Sequence, residues 1–303
     1  MKIVIAGASG LVGSALMPAL RNAGHEVGWL VRRAKTAGAS DEIAWNPAAG
    51  ELDDARFAGA EAVVNLAGEN VGAGRWTASR RAQILRSRVE ATRTLVAAMG
   101  RMVRKPAVLV NASAVGFYGD RGDEVLTEAS GMGRGFLPEV CRAWEREADA
   151  TGALGVRVAK LRFGVVLSAQ GGALPKLLPL FRLGLGGRLG HGRQWMSWIG
   201  IDDAVGAILH ALQDGRAAGP INVVAPGAVT NADFTATLAR VLHRPAILPA
   251  PAWALRLALG QMADGALLAS GRAVPEVLRK TGFQFRHATL EGEIENCVRG
   301  RAG

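Results

Sequence analysis

The chain of 303 residues has two cysteines, Cys141 and Cys297, far apart and with no Cys-x-x-Cys. That excludes a disulfide scaffold and suits a reduced, cytoplasmic protein. Its five histidines form no His-x-x-x-His or His-Glu-x-x-His pair, so no metal site is expected. No apolar run is long enough to span a bilayer and no signal peptide precedes the first predicted strand, so a soluble chain with no membrane partner is expected. Internal repeats and low-complexity tracts are also lacking.

Charge is unbalanced. A net charge of +10 invites a nucleic-acid reading, but the arginines are scattered over predicted helices and loops. No RRM, KH or helix-turn-helix signature accompanies them, so nucleic acid is not expected as a partner. Basic residues also suit a polyanionic cofactor. Half of the chain is hydrophobic, enough for one large α/β domain or a nucleotide domain with a smaller companion.

What is present is concentrated at the start. Lys2-Ile3-Val4-Ile5 reads as a short buried strand, and Gly7-Ala8-Ser9-Gly10-Leu11-Val12-Gly13 follows it into an apolar helical pattern over 11–23. In such a turn Gly7 supplies the bend. Gly10 lets the backbone approach a phosphate, and Gly13 lets the helix pack on the strand. The unpaired N–H groups of the helix start, among them those of Leu11 and Val12, face a pyrophosphate. A second strand over 26–31 ends at Val31 and runs into Arg32-Arg33. An acidic residue there bonds the 2′-hydroxyl of NAD, whereas arginine accommodates the 2′-phosphate of NADP. NADP (NADPH) is therefore the expected cofactor.

Further along, 62–65 is a strand that runs into Leu66-Ala67-Gly68, a small-residue turn placed beside the cofactor. A long helix covers 79–100 and carries Gln83 and Arg88. The strand 107–111 is followed by Ser113 and Tyr118, and the helix from Gly135 carries Phe136, Val140 and Trp144 as a packing stripe. Residues 156–162 form another strand, ending at Arg162. Beyond Ser168 the pattern changes: a short helix to 182, a glycine-rich loop at 184–192 expected near a ligand, and an extended segment at 194–199. Trp195 and Trp198 there line a cleft or pack in the core. Helices follow, capped by Asp202-Asp203 and by Asn231. The expected fold is α/β: a doubly wound parallel, Rossmann-like sheet with a smaller, mostly helical C-terminal substrate-side domain. The dinucleotide-binding domain is expected over 1–168, with 200–226 returning to it, and the smaller one over 169–199 and 227–303.

The sequence resembles an atypical, epimerase-like branch of the extended short-chain dehydrogenase/reductases, the family of human member 39U1. The resemblance rests on Gly7 to Gly13, Asn65-Leu66-Ala67-Gly68-Glu69-Asn70, Arg75-Trp76-Thr77, Ser87-Arg88, Ser113-Ala114-Val115-Gly116-Phe117-Tyr118-Gly119, Phe136-Leu137 with Cys141 and Trp144-Glu145, Gly184 to Gly187, Trp198-Ile199 with Asp202-Asp203, and a C-terminal stretch over 275–285. It covers nearly the whole chain.

The resemblance implies NADP binding through Val31 and Arg32 at the ribose phosphate, Leu66 and Ala67 beside the adenine ribose, Gln83 and Arg88 on the long helix, and Arg162. Arg88 and Arg162 hold a phosphate or ribose, or else an internal ion pair. The departure is larger than the match at one place. The superfamily's Tyr-x-x-x-Lys, whose lysine lowers the tyrosine pKa for proton transfer, is absent. The only tyrosine is Tyr118, with Gly122 four residues on, and the helix that normally carries the pair offers Leu137, Cys141 and Glu145. Ser113 and Tyr118 are the remaining catalytic candidates, with Cys141 and Glu69 behind them. The expectation is an NADP-binding oxidoreductase or epimerase-like enzyme on a small polar substrate. The alternative is an idle NADP-binding sensor or interaction protein. Oligomeric state is left open.

Overall fold

The computed structural model describes residues 1–32 and 41–299. β1 (Lys2–Ala6), α1 (Leu11–Asn22) and β2 (Glu26–Val31) open the chain, followed by β3 (Glu42–Asn46), β4 (Glu51–Leu52), the short α2 (Asp54–Phe57) and β5 (Ala62–Asn65). Next come α3 (Ala78–Arg101), β6 (Val108–Ala114), β7 (Val125–Leu126), α4 (Phe136–Asp149), β8 (Arg157–Phe163) and β9 (Val165–Leu167). The remainder holds α5 (Leu174–Arg182), β10 (Trp195–Met196), β11 (Trp198–Gly200), α6 (Ile201–Gln213), β12 (Gly219–Val223), β13 (Val229–Thr230) and α7 (Asn231–Leu242). α8 (Ala252–Leu259), β14 (Arg272–Ala273), α9 (Glu276–Lys280) and α10 (Leu290–Arg299) complete it.

Eight strands form one sheet in the order β12-β8-β6-β5-β1-β2-β3-β4. All neighbours are parallel except β3 and β4. The chain winds outward from β1 through β2 and β3, then reverses to β5, β6, β8 and β12. The reversal between β1 and β5 is the topological switch point, where an open α/β sheet leaves a crevice at its carboxyl edge.

The alternation of strand side chains explains why both faces are covered. Ile3, Ile5, Val64 and Val110 pack with Leu16 and Leu20 of α1 and Ile208 of α6. Val4, Ala6, Val63 and Leu109 pack instead with Leu95 and Met99 of α3 and Ala148 of α4. A further core outside the sheet gathers Leu178 and Phe181 of α5, Trp198, Phe234 and Leu238 of α7, and Ile294 of α10.

Several local expectations change. β3 and β4 lie in a stretch with no predicted element, although Ile43 and Trp45 are buried alternately with Glu42, Ala44 and Asn46. β6 runs three residues past the predicted end, so Ser113 is a strand residue opposite Arg162 of β8. Asp202 and Asp203 do not cap α6. Gly200 is its N-cap, and the Asp203 carboxylate accepts from the backbone N–H groups of Arg286 and His287 at 2.8 and 3.1 Å. Nor does Asn231 cap α7: Thr230 does, in a reciprocal capping box with Asp233. The side-chain Oδ1 of Asn231 accepts from the Leu189 N–H at 2.7 Å instead. The glycine-rich loop is tied there and along residues 248–250. A Cβ on Gly187 would lie 1.9 Å from the Leu248 carbonyl oxygen, so its glycine serves chain packing.

Candidate active site

The crevice at the switch point is a cleft of about 400 Å³. Gly7, Ser9 and Gly10 form one wall, Leu66 to Glu69 the facing one, and Leu30 with Arg32 the end. Trp45, Asn46, Pro47 and Ala48 close it from β3, and Ser87, Glu90 and Ala91 of α3 line it from below.

The glycine turn is shaped by contact. Gly7 has φ +83°, and a Cβ there would meet the Leu66 carbonyl carbon at 2.7 Å. A Cβ on Gly13 would lie 2.3 Å from the Gly7 carbonyl oxygen, so α1 could not start so close to β1 with any other residue. Gly10 differs. Its Cβ would meet a single atom, the Gly7 oxygen at 3.3 Å, and otherwise open space. Gly10 is the N-cap of α1 with no side-chain cap, and the first turn has no acid. The leading N–H groups, those of Leu11, Val12 and Gly13, have no intrahelical acceptor and suit an anion.

The opposite wall is held by Asn65, part of the motif that carries the resemblance but with no role assigned to its side chain. Asn65 of β5 donates to Asn111 Oδ1 at 2.7 Å and to Thr92 Oγ1 at 2.9 Å, while its own Oδ1 accepts from the Ala67 N–H at 3.2 Å. Leu66 and Ala67 are thereby fixed against Gly7. Glu69 lines the cleft but is already paired with Arg80 at 3.0 Å.

Arg32 is exposed at the cleft's end, and no hydrogen bond or ion pair engages it among the described residues. Val31 precedes it at the end of β2. Arg33 lies outside the described residues. Gln83 is exposed and accepts from Arg80 at 3.3 Å, away from the cleft lining. Arg88 is packed under the floor: its guanidinium carbon is 3.0 Å from where a Gly68 Cβ would stand and 5.0 Å from the Trp144 ring centre. It donates to the Ile84 carbonyl at 3.0 Å, with no carboxylate partner among the described residues. Burial pulls its pKa down.

Arg162 takes the internal alternative. Its Nε and Nη2 donate to the two oxygens of Glu145 at 2.8 and 2.9 Å, and Nη1 donates to the Tyr118 hydroxyl at 3.0 Å. Its guanidinium carbon lies 3.6 Å from the Phe117 ring centre. A guanidinium so engaged is not open to a phosphate. Ser113 donates to Glu145 Oε1 at 2.7 Å and is buried.

Tyr118 is fully buried, its hydroxyl 2.7 Å from Asn222 Oδ1 and 2.9 Å from the Thr127 carbonyl. Burial raises its pKa, against the pull of Arg162. A phenol enclosed in this way has no path to a substrate, so the geometry argues for a structural tyrosine. Cys141 is buried beside Ala114, and burial, reinforced by the Glu145 carboxylate, pushes its thiol up to about 11. Trp198 is core, its Nε1 donating to the Gly227 carbonyl at 2.8 Å. Trp195 is half-buried and bonded to Asp123. The described residues hold no group of His, Cys, Asp and Glu that could bind a metal.

A parallel sheet with this switch-point cleft and glycine turn defines a Rossmann-like protein of the short-chain dehydrogenase/reductase type. The chain belongs to the NAD dependent epimerase/dehydratase family, whose sequence profile matches residues 3–224. A domain of unknown function, DUF1731, matches 250–297. The epimerase family protein Mb2239 of Mycobacterium bovis is 44% identical over 301 residues, covering 99% of this chain and 98% of that protein. Bacillus subtilis YfhF, another epimerase family protein, is 35% identical over 305 residues, covering 99% of each. The crystal structure of human SDR39U1 isoform 2 with NADPH superposes with a TM-score of 0.89 at 31% identity, covering 99% of both chains. A nucleoside-diphosphate sugar epimerase from Corynebacterium glutamicum gives 0.81 at 37% identity, over 98% of this chain and 58% of that one.

Proposed function

We propose that the protein binds NADP(H) and acts as an oxidoreductase or epimerase-like enzyme on a small polar substrate. One observation carries the cofactor assignment: the residue that follows β2 is an arginine, Arg32, with no partner among the described residues, where an NAD-specific site presents a carboxylate. The glycine wall and the uncapped start of α1 receive the diphosphate, with Leu11, Val12 and Gly13 supplying N–H donors. Leu66 and Ala67 take the adenosine side. Arg88, a half-buried cation whose one side-chain hydrogen bond among the described residues is to a backbone carbonyl, serves ribose or phosphate oxygens from beneath Gly68. NADPH binding by human SDR39U1 supports the same reading.

Bound nicotinamide supplies the hydride, so the protein's share is orientation and charge. Ser113 Oγ donates a hydrogen bond to Glu145 and so ties α4 to the end of β6. Glu145 is held in place for this by both arms of Arg162. A second reading, a catalytically idle NADP-binding sensor, is favoured by the absence of a Tyr-x-x-x-Lys pair and by the enclosure of Cys141 and Glu145 on α4.

The test is a parallel titration of the wild type and Arg32→Ala with NADPH and NADH, followed by NADPH oxidation over a panel of carbonyl compounds. Wild type should prefer NADPH. Arg32→Ala should weaken NADPH by roughly tenfold to a hundredfold, as for a charge-assisted hydrogen bond of about 1.5–3 kcal/mol, and leave NADH nearly unchanged. Equal losses for both cofactors would remove Arg32 from the 2′-phosphate. NADPH bound but never oxidised would favour the sensor.

A further inference from the structure

We propose that the surface built by residues 180–193 and 244–257 is a peripheral docking face for an anionic lipid bilayer. Seven of the ten large hydrophobic side chains that stand exposed among the described residues lie between Leu180 and Leu257. Leu183 is 72% exposed, Ile247 77%, Trp253 69% and Leu257 71%. Single exposed leucines need no explanation, but a cluster rimmed by polar groups marks a site of interaction.

The two segments lie side by side. Residues Gly190 and Leu248 donate their backbone N–H groups across to Ala250 and Gly186, and Ala250 donates back to Arg188. Arg244 Nε reaches the Arg182 carbonyl at 3.1 Å, and α8 with Trp253 and Leu257 begins two residues after Ala250. α8 has no buried residue, and Trp253 and Leu257 stand one turn apart. Between α7 and residues 246–249 the face is recessed into an apolar groove of about 360 Å³, with Arg188 at its wall.

Charge selects the occupant. No aspartate or glutamate occurs at 171–201 or at 234–263, whereas the two stretches carry Lys176, Arg182, Arg188, Arg193, Arg240, Arg244 and Arg256. Arg240 and Arg256 reach carboxylates outside these stretches, Glu291 and Asp264. Arg182, Arg188, Arg193 and Arg244 have no carboxylate partner among the described residues. A second copy pairing face to face would set arginine against arginine. A bilayer with anionic headgroups accepts both features: arginines reach the phosphate plane while leucine, isoleucine and an interfacial tryptophan enter the acyl boundary. This requires no spanning helix, and none among the described residues is long and apolar enough to cross a membrane. The face shares no residue with the cleft at Gly7, so it stands whether or not the cofactor assignment does.

The experiment is co-sedimentation of the full chain with vesicles of phosphatidylcholine alone or with about one third phosphatidylglycerol, at low salt. Binding should favour the anionic vesicles by at least about tenfold and fall steeply toward 1 M salt, where screening reaches about 3 Å. Arg188→Glu with Arg244→Glu, and separately Ile247→Ser with Trp253→Ser, should each weaken it about tenfold or more, at an unchanged melting temperature. Absence of binding, equal binding to both vesicles, or folded variants that bind like wild type would overturn the proposal. So would a concentration-dependent dimer that the Ile247→Ser, Trp253→Ser variant abolishes, because the occupant would then be a second copy.

Discussion

The turn from β1 to α1 and the cluster behind β6 both gather polar groups around the same sheet edge, and they leave them in opposite states. At the turn, the leading N–H groups of α1 have no capping side chain, and Arg32 has no partner among the described residues. Behind β6, Ser113, Glu145, Arg162, Tyr118 and Asn222 satisfy one another across β6, α4, β8 and β12. Unspent donors at a surface cleft wait for a ligand. Saturated donors in a core hold elements together, because any one left alone would bear its full desolvation cost. The same residue type, arginine, falls on both sides of this division, and only its surroundings decide which.

The sharpest way to test the division is to remove one member of the saturated cluster. Glu145→Leu leaves the Arg162 charge buried without its carboxylate and should cost about 3–5 kcal/mol, read as a fall in the urea midpoint. Adding Arg162→Met should recover most of that loss, since a buried pair replaced by apolar groups of similar volume is often neutral. If Glu145→Leu were as stable as wild type, the cluster would not be structural, and its place near the cleft would have to be explained by chemistry.

Tyr118→Phe asks a smaller question. It removes the hydroxyl that accepts from Arg162 and lies between Asn222 and the Thr127 carbonyl. A loss of about 1–2 kcal/mol is expected from the buried groups left unpaired. Cofactor affinity should be unchanged, and so should any turnover found in the carbonyl panel. A variant that keeps its stability but loses turnover would return Tyr118 to the site.

How much of this was legible follows from the same contrast. Gly7, Gly10 and Gly13 announce themselves because they recur at three-residue spacing in one turn between a strand and a helix, and Arg32 because it follows directly on a strand's end. Ser113 and Tyr118 were read from their place after a strand. The partners that close them off, Glu145, Arg162 and Asn222, stand 32, 44 and 104 residues from one of them or the other. Spacing carries no signal of that kind. Asn65 was hidden for a related reason: an asparagine at a strand end reads as a turn former, and its bonds to Asn111 and Thr92 depend on strand pairing and on the seating of α3. The Trp45 wall was recoverable, since Ile43 and Trp45 show the period of a half-buried strand.

The smallest effect concerns Cys141, on α4, the helix expected to bear the superfamily's tyrosine. Its thiol is raised from the ordinary 9.0 to about 11, first by burial and then by the Glu145 carboxylate, with Arg88 opposing. A group raised in the folded state stabilises fully below its unfolded value and loses that contribution as pH climbs through the folded one. At neutral pH both states carry the proton and nothing changes. Between pH 9 and 11 the unfolded thiol ionises while the folded one stays protonated, so stability should fall by on the order of 2 kcal/mol relative to Cys141→Ala. The same burial predicts that a thiol reagent near pH 8 labels neither cysteine in the folded protein and both after unfolding. Rapid native labelling of Cys141 would put an accessible, ionisable thiol beside the cleft. The cluster behind β6 would then hold one group waiting for a substrate, and the division between the two regions would fail at that residue.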